Sequence, residues 1–230
     1  MSASPIAAMF DRISPKYDRL NHLLSFNIDK VWRRKTARAV AKKYPTSILD
    51  LATGTADLAI ALAKRNPQAH IMGMDISEKM LDIGKEKVRK QGLESQIDLR
   101  PGDAASLPFD DNSFDAVTVA FGVRNFESRD KGLAEIQRVL KPDGQAFILE
   151  FSMPERFPMK QLYRFYFKHI LPKIGKHISK DPGAYTYLPQ SVEAFPKPEE
   201  FLRILGNNGL KSGSARRFSF GIATLYIASK

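Results

Sequence analysis

Five short apolar runs between residues 47 and 151 most constrain what this chain can fold into. Runs of this length predict buried strands, and helical patterns lie in most of the gaps between them. Alternation of this kind is typical of βαβ units and a parallel sheet. The sequence therefore predicts an α/β core with strands at Ser47–Ala52, His70–Asp75, Ile97–Arg100, Phe114–Phe121 and Gln145–Phe151.

Helical periodicity fills the connections of this core. It predicts helices at Thr55–Arg65, Ser77–Gln91 and Arg129–Leu140. The run Lys141-Pro142-Asp143-Gly144 then predicts a turn, because proline and glycine commonly follow a helix end. Each of the three helices thus has a stop signal or a new strand soon after it.

The pattern changes after residue 151. A long amphipathic stretch is followed by a connection rich in proline and aromatic residues that runs through Pro198, and then by a predicted helix at Glu199–Asn208. Two last apolar runs, Leu210–Phe218 and Ile222–Ala228, predict an antiparallel hairpin. We therefore expect a helical cap at 1–46 and a core at 47–230 that carries a lid insertion at about 153–198.

Charge is distributed unevenly along the 230 residues. Residues 1–47 carry 10 Lys+Arg against 3 Asp+Glu, residues 48–150 carry 13 against 17, and residues 151–230 carry 13 against 5. Basic flanks of this kind suit an anionic membrane surface or a nucleic acid, although they also serve solubility alone. The absence of cysteine excludes disulfides, thiolate metal sites and a cysteine nucleophile.

The turn after the first predicted strand points to a nucleotide site. It reads Ala52-Thr53-Gly54-Thr55-Ala56, with one glycine instead of the three of a dinucleotide fingerprint. Asp50 and Asp57 flank it, and their charge repels phosphate but suits a ligand that carries an ammonium and a sulfonium. S-adenosylmethionine is such a ligand, and no metal is expected.

Two further aspartates follow the next strands. Asp75 ends the second strand, where a carboxylate can accept hydrogen bonds from two ribose hydroxyls. Asp103-Ala104 directly follows the third strand, where the adenine of a bound nucleoside would lie. Strand-end aspartates more often serve as turn or cap residues. Because Asp50, Asp75 and Asp103 occur at successive strand ends, the sequence favours a binding site.

At these residues the chain resembles the quinone-biosynthesis C-methyltransferases, the family of demethylmenaquinol and polyprenyl-benzoquinol methyltransferases. Four separated segments that together span nearly the whole chain carry the resemblance. They are Tyr17-Asp18-Arg19-Leu20-Asn21 with Trp32-Arg33-Arg34, Asp50-Leu51-Ala52-Thr53-Gly54-Thr55, Phe121-Gly122-Val123-Arg124-Asn125, and Tyr185-Thr186-Tyr187-Leu188-Pro189-Gln190-Ser191-Val192. The family usually has glycine at the position of Ala56, and some members have serine at that of Ala120.

The resemblance implies a Rossmann-like class I S-adenosylmethionine-dependent methyltransferase. Its fold would be a mostly parallel seven-stranded sheet with a C-terminal antiparallel hairpin and a helical lid. The implied reaction is C-methylation of 2-demethylmenaquinol to menaquinol in menaquinone biosynthesis. The expected cofactor-binding residues, from the resemblance and the strand ends together, are Asp50, Gly54, Thr55, Asp75, Asp103 and Ala104.

Methyl transfer to a ring carbon requires positive charge beside the developing phenolate and an acceptor for the proton. Arg124 is the candidate for the charge, with Asn125 as its orienting neighbour, although Arg124 also suits a structural ion pair. Arginine stays protonated at ordinary pH and is therefore not the base. A bound water or another side chain must accept the proton, and the candidate side chains are His22, Asp181, Tyr185 and Tyr187.

The segment 157–170 combines cationic and apolar residues at helical spacing. A helix of this kind can lie on an anionic bilayer, cover a pocket, or simply face solvent with its basic side. We expect a polyprenyl quinol substrate, transient contact with a membrane surface, and a cytoplasmic location that includes the inner face of the plasma membrane. The cationic residues are Lys160, Arg164 and Lys168, beside Leu162, Phe165, Tyr166 and Ile170.

Other functions stay open from the sequence. A polyprenyl benzoquinol in ubiquinone biosynthesis is the nearest alternative substrate, and an RNA methyltransferase is a second enzyme class that the basic flanks permit. A membrane-surface binding protein without catalysis is a third alternative. We expect no nucleic-acid partner under the preferred function, and the sequence leaves a homodimer open.

Overall fold

A seven-stranded sheet forms the centre of the computed structural model, which describes residues 5–170 and 182–230. The strand order is β3-β2-β1-β4-β5-β7-β6. Strands β1 to β5 run parallel, whereas β7 is antiparallel to both β5 and β6. The strands are β1 Ser47–Leu51, β2 His70–Asp75, β3 Ile97–Pro101, β4 Phe114–Ala120, β5 Leu140–Phe151, β6 Lys211–Phe218 and β7 Ala223–Ser229.

Helices cover both faces of this sheet in the described part of the chain. Two of them precede the first strand, and the others lie between strands or in the segment after β5. They are α1 Pro5–Leu24, α2 Ile28–Ala41, α3 Asp57–Ala63, α4 Glu78–Lys90, α5 Arg129–Val139, α6 Met159–Phe165, α7 Pro182–Glu193 and α8 Pro198–Asn207, with a π-helical turn at Tyr166–Ile170.

The core consists of two apolar layers, one on each face of the sheet. Successive β1 residues point to opposite faces, so that Ile48 joins the layer under α2, α3 and α4 while Leu49 joins the layer under α5 and α8. Because both faces are covered, the central strands are almost continuously apolar and buried. None of the helices in the described ranges combines the length and apolarity needed to cross a membrane.

The fold confirms the predicted mostly parallel seven-stranded sheet with its C-terminal hairpin. The prediction of a turn at residues 141–144 is wrong in detail, because β5 begins at Leu140 and these residues form a bulge inside it. Leu140 pairs with Phe114 and Gln145 with Ala116, and Asp143 adopts a positive φ of 64°. An extra loop of chain is therefore accommodated within the strand.

The connection predicted before Pro198 contains a helix that the sequence reasoning missed. Helix α7 spans Pro182–Glu193 and includes Pro189. The predicted helix over 157–170 is shorter at its start and changes to π geometry at Tyr166. Residues 171–181, which include the candidate proton acceptor Asp181, lie outside the described residues.

Close packing between β2 and β3 predicts a measurable cost for one added methyl group. A Cβ at Gly73 would lie 2.5 Å from Leu99 Cδ2 and 3.1 Å from Thr53 Oγ1. Gly73→Ala should therefore lower the free energy of unfolding by about 1–3 kcal/mol. Chemical denaturation measures this change.

Gly206→Ala in α8 is the matched control, because nothing lies within 4 Å of its Cβ position. We expect it to raise the free energy of unfolding by up to about 1 kcal/mol through the entropy of the unfolded chain. Equal effects of the two substitutions would contradict this packing argument.

Candidate active site

The turn between β1 and α3 follows an unusual backbone path. Ala52, Gly54 and Ala56 all adopt positive φ values, of 51°, 56° and 65°. Non-glycine residues rarely occupy this region, so the surrounding structure must hold the two alanines there. The path leaves open space beside the α-carbon of Gly54 and turns the backbone toward the carboxyl edge of the sheet.

Asp75 at the end of β2 organises this edge. Its Oδ2 accepts from the Gly54 amide at 2.8 Å and its Oδ1 from the Ser77 amide at 2.9 Å. Burial raises the pKa of Asp75, and these amide hydrogen bonds oppose the shift. The carboxyl group is therefore fixed between the first two strand-to-helix turns, as a group that binds a ligand's hydroxyls needs to be.

A strand-edge cleft of about 90 Å³ opens beside Asp75. Its walls come from the ends of β1, β2, β3 and β4, which is where parallel sheets bind ligands. They include Gly54, Asp75, Ile76, Asp103, Ala104 and Phe126. Asp103 also accepts from the Ala105 amide at 2.9 Å, which fixes the loop after β3.

Two of the predicted cofactor-binding residues do not line this cleft. Asp50 is buried and accepts from the hydroxyls of Thr53 at 2.7 Å and Thr118 at 2.5 Å. The Thr55 hydroxyl donates to Asp18 Oδ1 at 2.6 Å. Both side chains thus form hydrogen bonds that support the turn after β1, outside the cleft. Gly54, Asp75, Asp103 and Ala104, by contrast, line the cleft.

A second, larger space lies next to the cleft. This apolar cavity of about 280 Å³ has mostly aromatic and aliphatic walls. Phe10, Tyr17 and Phe121 line both spaces, so ligands bound in the two spaces would lie next to each other beside these residues. The cavity walls include Trp32, Phe121, Arg124, Phe151, Tyr163 and Tyr166.

Arg124 lies in the wall of the apolar cavity as half of a buried ion pair. Its Nη1 is 2.9 Å from Glu150 Oε2, and the two side chains are 7% and 0% exposed. The same nitrogen donates to the carbonyl of Phe121. Arg124 Nε, by contrast, is buried with no hydrogen-bond partner among the described residues. Because a buried unpaired donor is costly, this atom indicates a place for an acceptor oxygen.

Asn125 connects the cleft to the lid. It lines the strand-edge cleft, and its Oδ1 accepts from the hydroxyl of Tyr187 at 2.9 Å. Tyr187 lies on α7 and lines the apolar cavity. The predicted orienting neighbour of Arg124 is therefore tied to the opposite side of the site, which the sequence did not suggest.

None of the other candidate proton acceptors is placed on the cavity wall by the described residues. His22 does not line the cavity, and its Nδ1 lies 2.9 Å from Asp29 Oδ2. The side chain of Tyr185 and all of Asp181 lie outside the described residues. Sequence reasoning missed Asp29 and Arg33, which pair with each other and both line the cavity. Their spacing of four residues on a helix was the available signal.

The ligand-capable atoms of His22, Asp29 and Asp57 lie within 4.8 Å of one another. Arg33 and Lys87 already pair with the two carboxylates, so the charge of this cluster is largely balanced by the chain itself.

The fold is shared with S-adenosylmethionine-dependent methyltransferases of known structure. Solved structures with the same fold include a putative S-adenosylmethionine-dependent methyltransferase from Methanococcus maripaludis, which covers 96% of this chain and 93% of its own at 20% identity and a TM-score of 0.66. A methyltransferase from Aquifex aeolicus covers 84% and 88% at 21% identity and a TM-score of 0.61.

Sequence comparison is more specific. The model of the ubiE/COQ5 methyltransferase family matches residues 2–230, and the chain belongs to that family. It is 48% identical to the demethylmenaquinone methyltransferase of Bacteroides fragilis over 98% of this chain and 92% of that one. The Thermus thermophilus enzyme of the same name is 45% identical over 96% and 100%. A ubiquinone/menaquinone C-methyltransferase of Geotalea uraniireducens is also 45% identical, over 98% and 96%. The family resemblance is thereby confirmed.

Asp50 predicts a specific dependence of stability on pH. Burial raises its pKa from 3.8 to about 6, with Thr118 and Thr53 opposing the shift. The folded protein therefore holds this proton more tightly than the unfolded chain does. The resulting stabilisation is complete below pH 4 and is lost as the pH rises through 6.

A rise in pKa from 3.8 to about 6 corresponds to about 3 kcal/mol. The stability of the wild type relative to Asp50→Asn should therefore fall by up to about 3 kcal/mol between pH 4 and pH 7. Denaturant titrations of both proteins across this range measure the difference. A difference that stays constant with pH would show that Asp50 is ionised throughout.

Proposed function

We propose that the protein transfers the methyl group of S-adenosylmethionine to a ring carbon of 2-demethylmenaquinol, which gives menaquinol. The observation that carries the proposal is the pair of adjoining spaces. An edge cleft suited to a nucleoside shares Phe10, Tyr17 and Phe121 with a larger apolar cavity suited to an aromatic ring. Relatives of this chain at 45–48% identity are named demethylmenaquinone methyltransferases.

The residues of the strand-edge cleft fit the cofactor. Gly54 has no atom within 4 Å of its Cβ position, so its backbone accepts a closely seated ligand. Asp75 is fixed by two amides and lines the cleft, where its remaining lone pairs suit ribose hydroxyls. Asp103 and Ala104 would hold the base, with Ile76 as an apolar wall.

When bound, S-adenosylmethionine supplies an electrophilic methyl group on a sulfonium. The protein's part is to hold the acceptor carbon in line with that group and to stabilise the oxygen that becomes negative. The ring carbon gains the methyl group and loses its proton, and S-adenosylhomocysteine is the leaving product. Tyr17 and Phe121 lie where donor and acceptor meet, and they would hold the ring in position.

We assign the stabilisation of the ring oxygen to Arg124. Its Nε is a directional donor that has no partner within residues 5–170 and 182–230, while Glu150 compensates its charge through Nη1. Asn125 would keep its assigned role as an orienting group, because Tyr187 and the Phe121 carbonyl fix its amide.

The apolar cavity also suits the isoprenoid tail of the substrate. Phe26 and Leu162 line it and are themselves 74% and 59% exposed, so they stand at its mouth. A tail leaving the ring there would reach the surface over apolar side chains. A polyprenyl benzoquinol fits the same features, and the ubiquinone/menaquinone name of one relative makes it the second candidate substrate.

Methyl transfer from labelled S-adenosylmethionine to a short-tail demethylmenaquinol in detergent tests the reaction. Arg124→Lys retains a cation for Glu150 but removes Nε, and we expect kcat to fall roughly 100-fold with little change in KM for the cofactor. Asp75→Ala should instead weaken cofactor binding at least tenfold.

Arg138→Lys is the matched control for Arg124, because Arg138 pairs with Glu135 and Asp111 away from both spaces. An unlabelled quinol together with normal cofactor binding would refute the proposed substrate. Labelling of a benzoquinol in preference would move the second candidate substrate to first place.

We further propose that the protein contacts an anionic membrane surface through the mouth of the cavity. Phe157 and Phe165 belong to the segment that contributes Leu162 to the cavity wall, and they are 81% and 58% exposed beside the exposed cations Lys160 and Arg164. The side chain of the third predicted cation, Lys168, lies outside the described residues. Exposed apolar groups among cations are typical of surfaces that bind anionic bilayers.

Phe157→Ser with Phe165→Ser should reduce co-sedimentation with phosphatidylglycerol vesicles about tenfold or more, since each removes buried apolar area from the bilayer contact. Tyr44→Ser is the control. Tyr44 is 88% exposed and follows the C-terminal end of α2, whereas Phe26 at the cavity mouth precedes the N-terminal end of that helix. Methyl transfer in detergent should stay unchanged in all these variants. Equal vesicle binding by the double variant and the control would contradict the proposed contact.

A further inference from the structure

The apolar cavity contains one polar strip that the proposed reaction does not use. Asn21 and Ser25 from the end of α1 and the loop after it, with Asp29 and Arg33 from α2, line the same space as Arg124. Asp29 and Arg33 are each at least nine-tenths buried. Buried polar groups facing a binding cavity commonly fix the orientation of its ligand.

Asp29 is the acceptor in this strip. Its Oδ1 accepts from the Ser25 hydroxyl at 2.6 Å, and its Oδ2 accepts from His22 Nδ1 at 2.9 Å and from Arg33. A carboxylate has about four lone-pair positions, so three donors leave room for another. Although burial alone would raise the pKa of Asp29, the neighbouring Arg33, Ser25 and His22 lower it. Asp29 therefore stays an ionised acceptor.

Arg124 contributes the opposite property to the same cavity. Its buried Nε is a donor without a hydrogen-bond partner in the part of the chain that the structure describes. One polar position of the cavity thus donates a hydrogen bond and another accepts one. A para-diol has a hydroxyl proton for Asp29 and an oxygen for Arg124, whereas the oxidised dione has only acceptor oxygens.

Resting on the proposed function, we infer that Asp29 accepts a hydrogen bond from the second ring hydroxyl and makes the site selective for the reduced diol over the dione. A dione carbonyl placed against the Asp29 carboxylate would set two acceptors facing each other without a proton. Leaving a buried charged acceptor facing a carbonyl is unfavourable. The strip would thereby exclude the oxidised form, whose ring is a poor nucleophile for a methyl group.

Trp32 provides a direct measurement of binding. It is the chain's single tryptophan, is buried, and lines the cavity. A short-tail 1,4-naphthalenediol and its dione are titrated under anaerobic conditions with S-adenosylhomocysteine in the cleft, so that no turnover occurs. Quenching of Trp32 gives a Kd for each, and the wild type should bind the diol about tenfold or more tightly than the dione.

Asp29→Asn should reduce this affinity ratio about tenfold, because the amide can donate to a dione carbonyl. Asp57→Asn is the matched control. Asp57 belongs to the same charge network through Lys87 and Arg33 but does not line the cavity. A purely structural role of the network predicts similar effects of both substitutions, whereas the inference predicts that Asp57→Asn keeps the wild-type ratio. An unchanged ratio in folded Asp29→Asn protein would overturn it.

The two monomethyl ethers of the diol test the wild type without a substitution, which decides the matter should Asp29→Asn not fold. Each ether keeps both oxygens but lacks one hydroxyl proton. One ether should bind like the diol and the other about tenfold more weakly. Equal affinities for the diol and both ethers would overturn the inference.

The same experiment separates this inference from the proposed function. Methylation of the diol together with equal binding of diol and dione would leave the reaction standing and remove the role of Asp29. A diol that is neither bound nor methylated would refute both.

Discussion

The contact of α1 with the carboxyl edge of the sheet is the constraint on which the two-part site depends. Asp11 accepts from the Ser77 hydroxyl at 2.6 Å, and Asp18 accepts from Thr55 at 2.6 Å and from Lys87 at 3.0 Å. Breaking a partly buried charge network is costly, whereas the network itself adds little net stability. Its main effect is thus to fix position. Without α1 in place, Tyr17 would not lie between the cleft and the cavity.

The sequence predicted the sheet well because buried parallel strands leave a direct trace in hydrophobicity. His70–Asp75 is observed as predicted, and the other strand ends shift by one residue except for β5. The failures have identifiable causes. The bulge at residues 141–144 depends on pairing with β4, and α7 contains Pro189, which sequence rules place outside helices. Tertiary packing decides both features, and a local sequence pattern carries no information about that packing.

The candidate site was predictable only where the backbone itself forms it. Asp75 and Asp103 follow from strand ends, because parallel strands bring their carboxyl ends to one edge. Strand-end reasoning also proposed Asp50 as a cofactor-binding residue, and the family resemblance proposed Thr55, yet their side chains bond to Thr118 and Asp18. Which way a side chain turns at a strand end depends on partners distant in sequence. The polar strip that contains Asp29 was missed for the same reason.

The pairing of Arg124 with Glu150 explains how an apolar cavity can serve an ionic reaction. An uncompensated cation in such a wall would be expensive to bury and would attract any anion. Glu150 compensates the charge and, together with the Phe121 carbonyl, fixes the guanidinium, while the buried Nε has no hydrogen-bond partner among the described residues. A fixed dipole in a medium of low dielectric needs no reorganisation as the ring oxygen becomes negative. Under the proposed function, the cavity would therefore bind a neutral, apolar ring and still favour its anionic transition state.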